Sequence, residues 1–359
     1  MIRRHPDTIT IIPTYQCTAA CENCCFGSHP GVRGRLSLDR ILHHIDQAAS
    51  LGSVKLVVFT GGECFLLQDD LVRAVARCTS HGLASRCVSN GYWAVSERSA
   101  LDRLRPLVEA GLGDLNVSTG DAHQEFISID RIVNAMKAAA TLQIRSLVVI
   151  EAKQHRGFSA AALRADPRWA ELEAQAKVKY APESFESPWM SMDHLAHLEQ
   201  PERKLACRSN LDRRAGCDSI LRTIVVTPNE QLGACCGLTR EQIPELNLGS
   251  LREQSMASLV DSMSDDLMKL WVALDGPDHI LAWASGIDPE INWEKRFAHH
   301  CDSCRFMYSD SRVAKVIASH WSEVADDVLL RFSALGMAAK PDEENSNHAE
   351  GGYHEPACQ

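Results

Sequence analysis

From Thr8 to about Pro182 the chain alternates short apolar runs with amphipathic ones, and this alternation restricts the fold more than any other feature. The strand candidates are Thr8–Ile12, Val54–Thr60, Ala84–Ser89, Asp114–Ser118, Ser146–Ile150 and Lys177–Ala181. Helices are expected between them at Ser37–Leu51, Asp70–His81, Glu97–Ala110, Asp130–Gln143 and Ser159–Ala176. The first helix has Ser37 as a natural N-cap and stops at Gly52, as helix termini prefer. Strand–helix alternation calls for a parallel sheet covered by helices, whose functional residues gather at the C-terminal ends of the strands.

The end of the first strand carries the strongest chemical signal. Cys17, Cys21 and Cys24 stand at a C-x-x-x-C-x-x-C spacing. Three thiolates can hold three irons of a [4Fe–4S] cube and leave the fourth open to a chelating ligand, and a zinc site is the alternative for the same residues. Composition narrows the setting. The fourteen cysteines come with no export signal, which points to metal or catalysis in a reducing, cytoplasmic compartment rather than to disulfides. A net charge of −10 with scattered Lys and Arg argues against nucleic-acid binding, and no apolar run approaches a membrane span.

The cysteine spacing directly after a first strand resembles the radical S-adenosylmethionine (SAM) superfamily, and Gly61-Gly62-Glu63 at the end of the second strand strengthens the resemblance. The fold it implies is a partial (β/α)6 barrel of the TIM type. The cofactors it implies are SAM and a SAM-binding [4Fe–4S] cluster on Cys17, Cys21 and Cys24. Gly61, Gly62 and Glu63 match the family's motif for the methionine amino group. Asn90, after the third strand, stands where the family often has Thr-Asn-Gly. Ser118 and Asp121, after the fourth, resemble the stretch that contacts SAM's ribose or carboxylate. Two positions depart from the pattern: Asn23 replaces the usual aromatic residue or His before the third cysteine, with Phe26 or Tyr15 as substitutes, and Cys64 replaces a proline. Arg131 is offered for SAM's carboxylate, and Cys25 and Cys64 are read as buried small hydrophobes. Glu151 and Glu183 are expected as solvated strand ends.

Beyond Pro182, residues 184–206 read as a linker or lid over the barrel mouth. Ile220–Thr227 and Leu232–Cys235 read as the arms of a β-hairpin, followed by Leu248-Gly249-Ser250-Leu251, helices, and Cys301-x-x-Cys304. That order resembles the auxiliary-cluster domains called SPASM and twitch, here over 207–338. The resemblance implies a second, auxiliary [4Fe–4S] cluster on Cys217, Cys235, Cys301 and Cys304, with Cys207 or Cys236 as substitutes. A structural zinc on the same sulfurs is the alternative. His299 and His300 are read as neighbours rather than ligands, residues 1–183 as the barrel, and 339–359 as a disordered tail containing Cys358.

The resemblance implies reductive cleavage of SAM and hydrogen abstraction from a substrate carbon by the 5′-deoxyadenosyl radical, the chemistry being the cofactor's. Oxidation, crosslinking or epimerisation of a ribosomally made peptide is one expectation. With the first strand at Thr8, a separate recognition protein is then expected to present the peptide. The alternatives are small-molecule dehydrogenation, as in aminoglycoside biosynthesis, and a non-catalytic iron–sulfur or zinc scaffold. A flavodoxin or ferredoxin is the expected electron donor.

Overall fold

The computed structural model describes residues 5–153, 157–174, 180–193, 200–214 and 216–338. The tail at 339–359 with Cys358, and 177–179 of the expected sixth strand, lie outside the described residues. Six parallel strands, β1 (Thr8–Ile11), β2 (Leu56–Phe59), β3 (Ala84–Ser89), β4 (Asp114–Thr119), β5 (Arg145–Glu151) and β6 (Glu183–Ser187), pair in sequence order. Between them lie α1 (Leu38–Ser50), α2 (Asp69–Ser80), α3 (Glu97–Glu109), α4 (Asp121–Gln124), α5 (Ile129–Thr141), α6 (Ala160–Arg164) and α7 (Pro167–Ala174). The architecture is thus the expected mixed α/β one, an open partial barrel.

The helices form where capping and periodicity agree. Ser37 accepts the Arg40 N–H at the start of α1, whose Ile41, Ile45 and Ala48 fall on one buried face. Ser96 and Ser99 form a reciprocal capping box on α3. The expected helix at 159–176 is two: the first ends at Arg164 and the second opens on Pro167, which tolerates only a first-turn position. The sixth strand lies at Glu183–Ser187, further along than expected. Its sequence, Glu-Ser-Phe-Glu-Ser, is too polar to register as an apolar run, and pairing with β5 from Leu147 to Glu151 makes it a strand.

The hairpin is present as β7 (Thr223–Val226) and β8 (Gln231–Gly233), with β9 (Asn247–Ser250) added beside β8. It does not begin a sheet of its own. β7 pairs in parallel with β1, Thr8 opposite Thr223 and Ile11 opposite Val226, so one sheet of nine strands runs β6-β5-β4-β3-β2-β1-β7-β8-β9. The remaining helices are α8 (Met256–Ser262), α9 (Leu267–Ile287), α10 (His300–Ser309), α11 (Ser311–His320) and α12 (Ser322–Ala338). Among the described residues, no helix is long and apolar enough to cross a membrane.

Beyond β1 and β2 the backbone stays paired. Gly62 N donates to Thr14 O (3.0 Å) and Glu63 N to Gln16 O (3.0 Å). A Cβ on Gly61 would lie 2.5 Å from Thr14 O, and one on Gly62 would lie 2.2 Å from Gln16 O. The two glycines are needed for this contact, where backbone meets backbone immediately before Cys17. Gly62→Ala is expected to destabilise the fold by on the order of 3 kcal/mol. Gly286→Ala, where a Cβ meets nothing within 4 Å, is the control. Thermal unfolding of the two variants checks this, and equal melting temperatures would refute it.

Candidate active site

The ends of β1 to β4 converge on a cavity enclosing about 740 Å³ of non-atom space, partly open to solvent. Cys17, Cys21 and Cys24 all line it, together with Gly61, Gly62, Asn90 and Ser118. The cysteine loop is held by Cys17 N to His29 O (3.4 Å), a turn from Cys24 N to Cys21 O (3.2 Å), and isolated bridges from Thr14 to Arg35 and Gln16 to His29. The three sulfurs are therefore brought together with four of the six residues expected to contact SAM.

The other two turn elsewhere. Glu63 is fully buried but is not a cavity wall. Its carboxylate accepts from Ser89 Oγ (3.0 Å to each oxygen), Asn90 N (2.8 Å) and Phe65 N (2.9 Å). Burial outweighs these hydrogen bonds and pushes its pKa up to about 7. Asp121 accepts from Gly157 N (3.3 Å) and Phe158 N (2.9 Å), securing a loop instead of facing the cavity. Arg131 donates to the Tyr92 carbonyl. Cys64 packs in the core against Val88 O, as a buried hydrophobe would, whereas Cys25 lines the cavity.

Glu151 is not a solvated strand end. It is 3 % exposed, with Lys153 Nζ at 3.3 Å, and it takes a hydrogen bond from Asn23. Asn23 thus uses the place expected for an aromatic ring to tie the cysteine loop to β5. Phe26 supplies an aromatic wall, with Tyr15 behind it at 5.9 Å between ring centroids and the Tyr15 hydroxyl on Glu241. Glu183 opens β6 on the surface. Sequence reasoning did not single out His123, Trp189, Met190 and Leu238, which complete the walls; His123 and Trp189 meet edge to face at 4.4 Å. The available signal was position, since His123 follows the β4 end and Trp189 the β6 end.

Three thiols facing one cavity fit a cationic, polynuclear centre. Burial raises Cys17 to about 11 and Cys21 to about 12, and each neighbouring thiolate adds to the cost of ionisation. Among the described residues, the cavity walls hold no Lys or Arg to offset it. Metal charge would favour the thiolates, with release of their protons.

A second cavity, enclosing about 390 Å³, is lined by Cys217, Cys235, Cys301 and Cys304. The position of Cys217 depends on a break in α9. Pro277 has no N–H for Ala273 O, Gly276 is non-helical, and Gly216-Cys217 packs into the gap with Cys217 N on Val272 O (3.0 Å). Cys301 and Cys304 lie at the start of α10, whose cap is the buried His299 accepting from Cys301 N (3.0 Å). Burial holds His299 neutral, down to about 3. His300 lies against Asp278 (3.1 Å). Cys207 approaches Ser209, and Cys236 approaches Ser219 Oγ (3.2 Å); neither lines this cavity. Among the described residues, no three His, Cys, Asp or Glu side chains converge closely enough to hold a single metal ion.

Residues 11–153 match the sequence model of the Radical SAM superfamily. The chain carries a radical SAM domain. A curated relative is YydG of Bacillus subtilis (strain 168), whose name provisionally assigns it to peptide biosynthesis. It is 25% identical over 130 residues, 36% of this chain and 41% of that protein, so the chain spans about two fifths of its length. Similar solved structures include BtrN in complex with AdoMet and 2-DOIA, 16% identical over 76% of this chain and 89% of that one, with a TM-score of 0.43. Another is anSMEcpe with bound AdoMet and Cp18Cys peptide, 10% identical over 92% and 99%, with a TM-score of 0.49. The matched residues run from Ile11, the last residue of β1, to just past β5, and include the first cavity's cysteines, glycines, Asn90 and Ser118.

Because Glu63 is pushed up from 4.5 to about 7 by folding, the folded state holds its proton more tightly than the unfolded chain. Its contribution is fully present below pH 4.5 and is lost as pH rises through about 7, on the order of 3 kcal/mol in all. Urea unfolding of wild type and Glu63→Gln between pH 5 and 8 should give the wild type the steeper decline. Parallel profiles would assign the slope to other groups.

Proposed function

We propose that this protein is a radical SAM enzyme that removes a hydrogen atom from a carbon of a peptide substrate. The observation that carries this is the convergence of Cys17, Cys21 and Cys24 on one cavity with the ends of β2, β3 and β4 inside a radical SAM domain. When bound, a [4Fe–4S] cluster and SAM would supply an electron and a 5′-deoxyadenosyl radical at this place. Cys17, Cys21 and Cys24 would hold the cluster. The backbone of Gly61 and Gly62, Asn90 and the Ser118 hydroxyl line the space for SAM's polar groups. Phe26, His123, Trp189, Met190 and Leu238 line the rest, narrowing the access of water to a site where it would intercept a reactive species. Two of these walls, Trp189 and Met190, belong to the stretch read as a lid, and Met192 N reaches Cys24 O (3.2 Å).

The peptide reading is supported by the name of the curated relative and by the largely aromatic and aliphatic outer wall. Oxidation, crosslinking and epimerisation all begin with this abstraction. A flavodoxin or ferredoxin would deliver the electron, and a separate recognition protein would present the peptide. For residues 207–338 we propose an auxiliary [4Fe–4S] cluster on Cys217, Cys235, Cys301 and Cys304. These four sulfurs line one cavity, and four thiolates can complete a [4Fe–4S] cube, with a structural zinc as the alternative for the same sulfurs. That cluster would take up the electron left on the substrate or relay electrons inward.

Two measurements test these assignments. After anaerobic purification, the Cys17/Cys21/Cys24→Ala variant should retain about four irons with a [4Fe–4S] spectrum. A folded variant without iron would remove the auxiliary cluster. The reduced enzyme, incubated with SAM and deuterated candidates, should move label from peptide into 5′-deoxyadenosine. Transfer only from a small alcohol or sugar would replace the peptide reading with the dehydrogenase one, and no SAM cleavage would leave a scaffold.

A further inference from the structure

Between the buried Glu63 and the cysteine loop runs a continuous set of hydrogen bonds whose directions are fixed. Ser89 donates its hydroxyl proton to the Glu63 carboxylate, so its oxygen is free to accept from Trp93 Nε1 (2.9 Å) and Gly91 N (3.0 Å). Asn90 N also donates to Glu63 (2.8 Å). At the side-chain amide of Asn90, Oδ1 accepts the Tyr92 backbone N–H at 2.9 Å. A backbone N–H can only donate, so the oxygen of the amide is the end facing Tyr92 and its NH2 must face away. That NH2 donates to Thr18 Oγ1 (3.0 Å) and to Cys17 Sγ (3.4 Å). Cys17 also accepts from Ala19 N (3.5 Å), and Cys24 from Ser28 N (3.4 Å). Among the described residues, Cys17 alone of the three takes a side-chain N–H.

Resting on the reading of Cys17 as a cluster ligand, we propose that Asn90 is a positioning residue that sets the reduction potential of the first cluster through a fixed N–H···S bond to Cys17. Reduction adds negative charge that spreads onto the thiolate sulfurs, and a donor aimed at one of them stabilises the reduced state more than the oxidised one. Rigidity matters because a donor that does not reorient costs nothing further when the charge changes. Glu63 supplies that rigidity by holding Ser89 and the Asn90 backbone from behind. Glu63, expected from the sequence to meet SAM's amino group, thus acts here through Asn90.

The test is a redox titration of the reconstituted full-length protein without SAM, following by electron paramagnetic resonance the cluster signal that added SAM perturbs. Asn90→Ala should lower the potential, leaving a roughly tenfold smaller reduced-to-oxidised ratio at a fixed poise, about 59 mV for a one-electron couple. Asn90→Asp keeps the shape of the side chain and the Tyr92 contact and sets a carboxylate against the sulfur. It should shift the potential further in the same direction, and it carries the test if the alanine variant does not fold. Unchanged potentials in variants with wild-type iron content would overturn the inference alone. A wild type with no SAM-perturbed signal would overturn it together with the ligand reading of Cys17.

Discussion

The structure depends on one backbone contact. Past the last residues of β1 and β2 the two chains remain hydrogen-bonded, with Gly62 on Thr14 and Glu63 on Gln16. Side chains at 61 or 62 would collide with carbonyl oxygens at 2.5 and 2.2 Å. This contact delivers Cys17 to the end of the sheet at a fixed height. It also turns Glu63 inward, so that the carboxylate meets the end of β3. Two glycines therefore set both the cysteine-bearing loop and the buried polar cluster behind it, through close approach of backbone to backbone.

A carboxylate without a paired cation is costly to bury, and Glu63 is held by hydroxyl and amide donors instead of an ion pair. Its surroundings form a stiff wedge: Ser89, Asn90 and the Trp93 ring, the last stacked on Phe65 at 4.5 Å between centroids. Glu151 does comparable work on the other side of the cavity, tying Asn23 of the cysteine loop to β5. The loop is thus braced from two strands, which suits a site required to hold three sulfurs in a fixed relation.

The C-terminal part is joined to the barrel by the same strand that leads into the cysteine loop. β1 carries β2 on one edge and β7 on the other, so the segment running from β8 to Cys235 is registered to β1 by a hydrogen-bonded ladder. Leu238 walls the first cavity while Gly237 and Thr239 wall the second. Residues 237–239 thus contribute to the walls of both cavities.

The sequence by itself determined the strand–helix order, the capped helices and the identity of the cysteine groups, because each rests on local periodicity or on spacing along the chain. It also marked Gly61, Gly62, Asn90 and Ser118 as neighbours of the cysteines, since a parallel sheet carries all its strand ends to one side. It could not place β6, whose polar sequence becomes a strand only through pairing with β5. Nor could it say which way a side chain turns at a strand end. Glu63 and Asp121 sit at expected positions yet face Ser89 and the 157–158 amides, because the direction follows from which donors lie nearest in space. Tertiary structure alone decided that β7 extends the barrel's sheet, that a proline break in α9 receives Cys217, and that His123 and Trp189 close the cavity. Those contacts join residues far apart in sequence, and no local pattern encodes them.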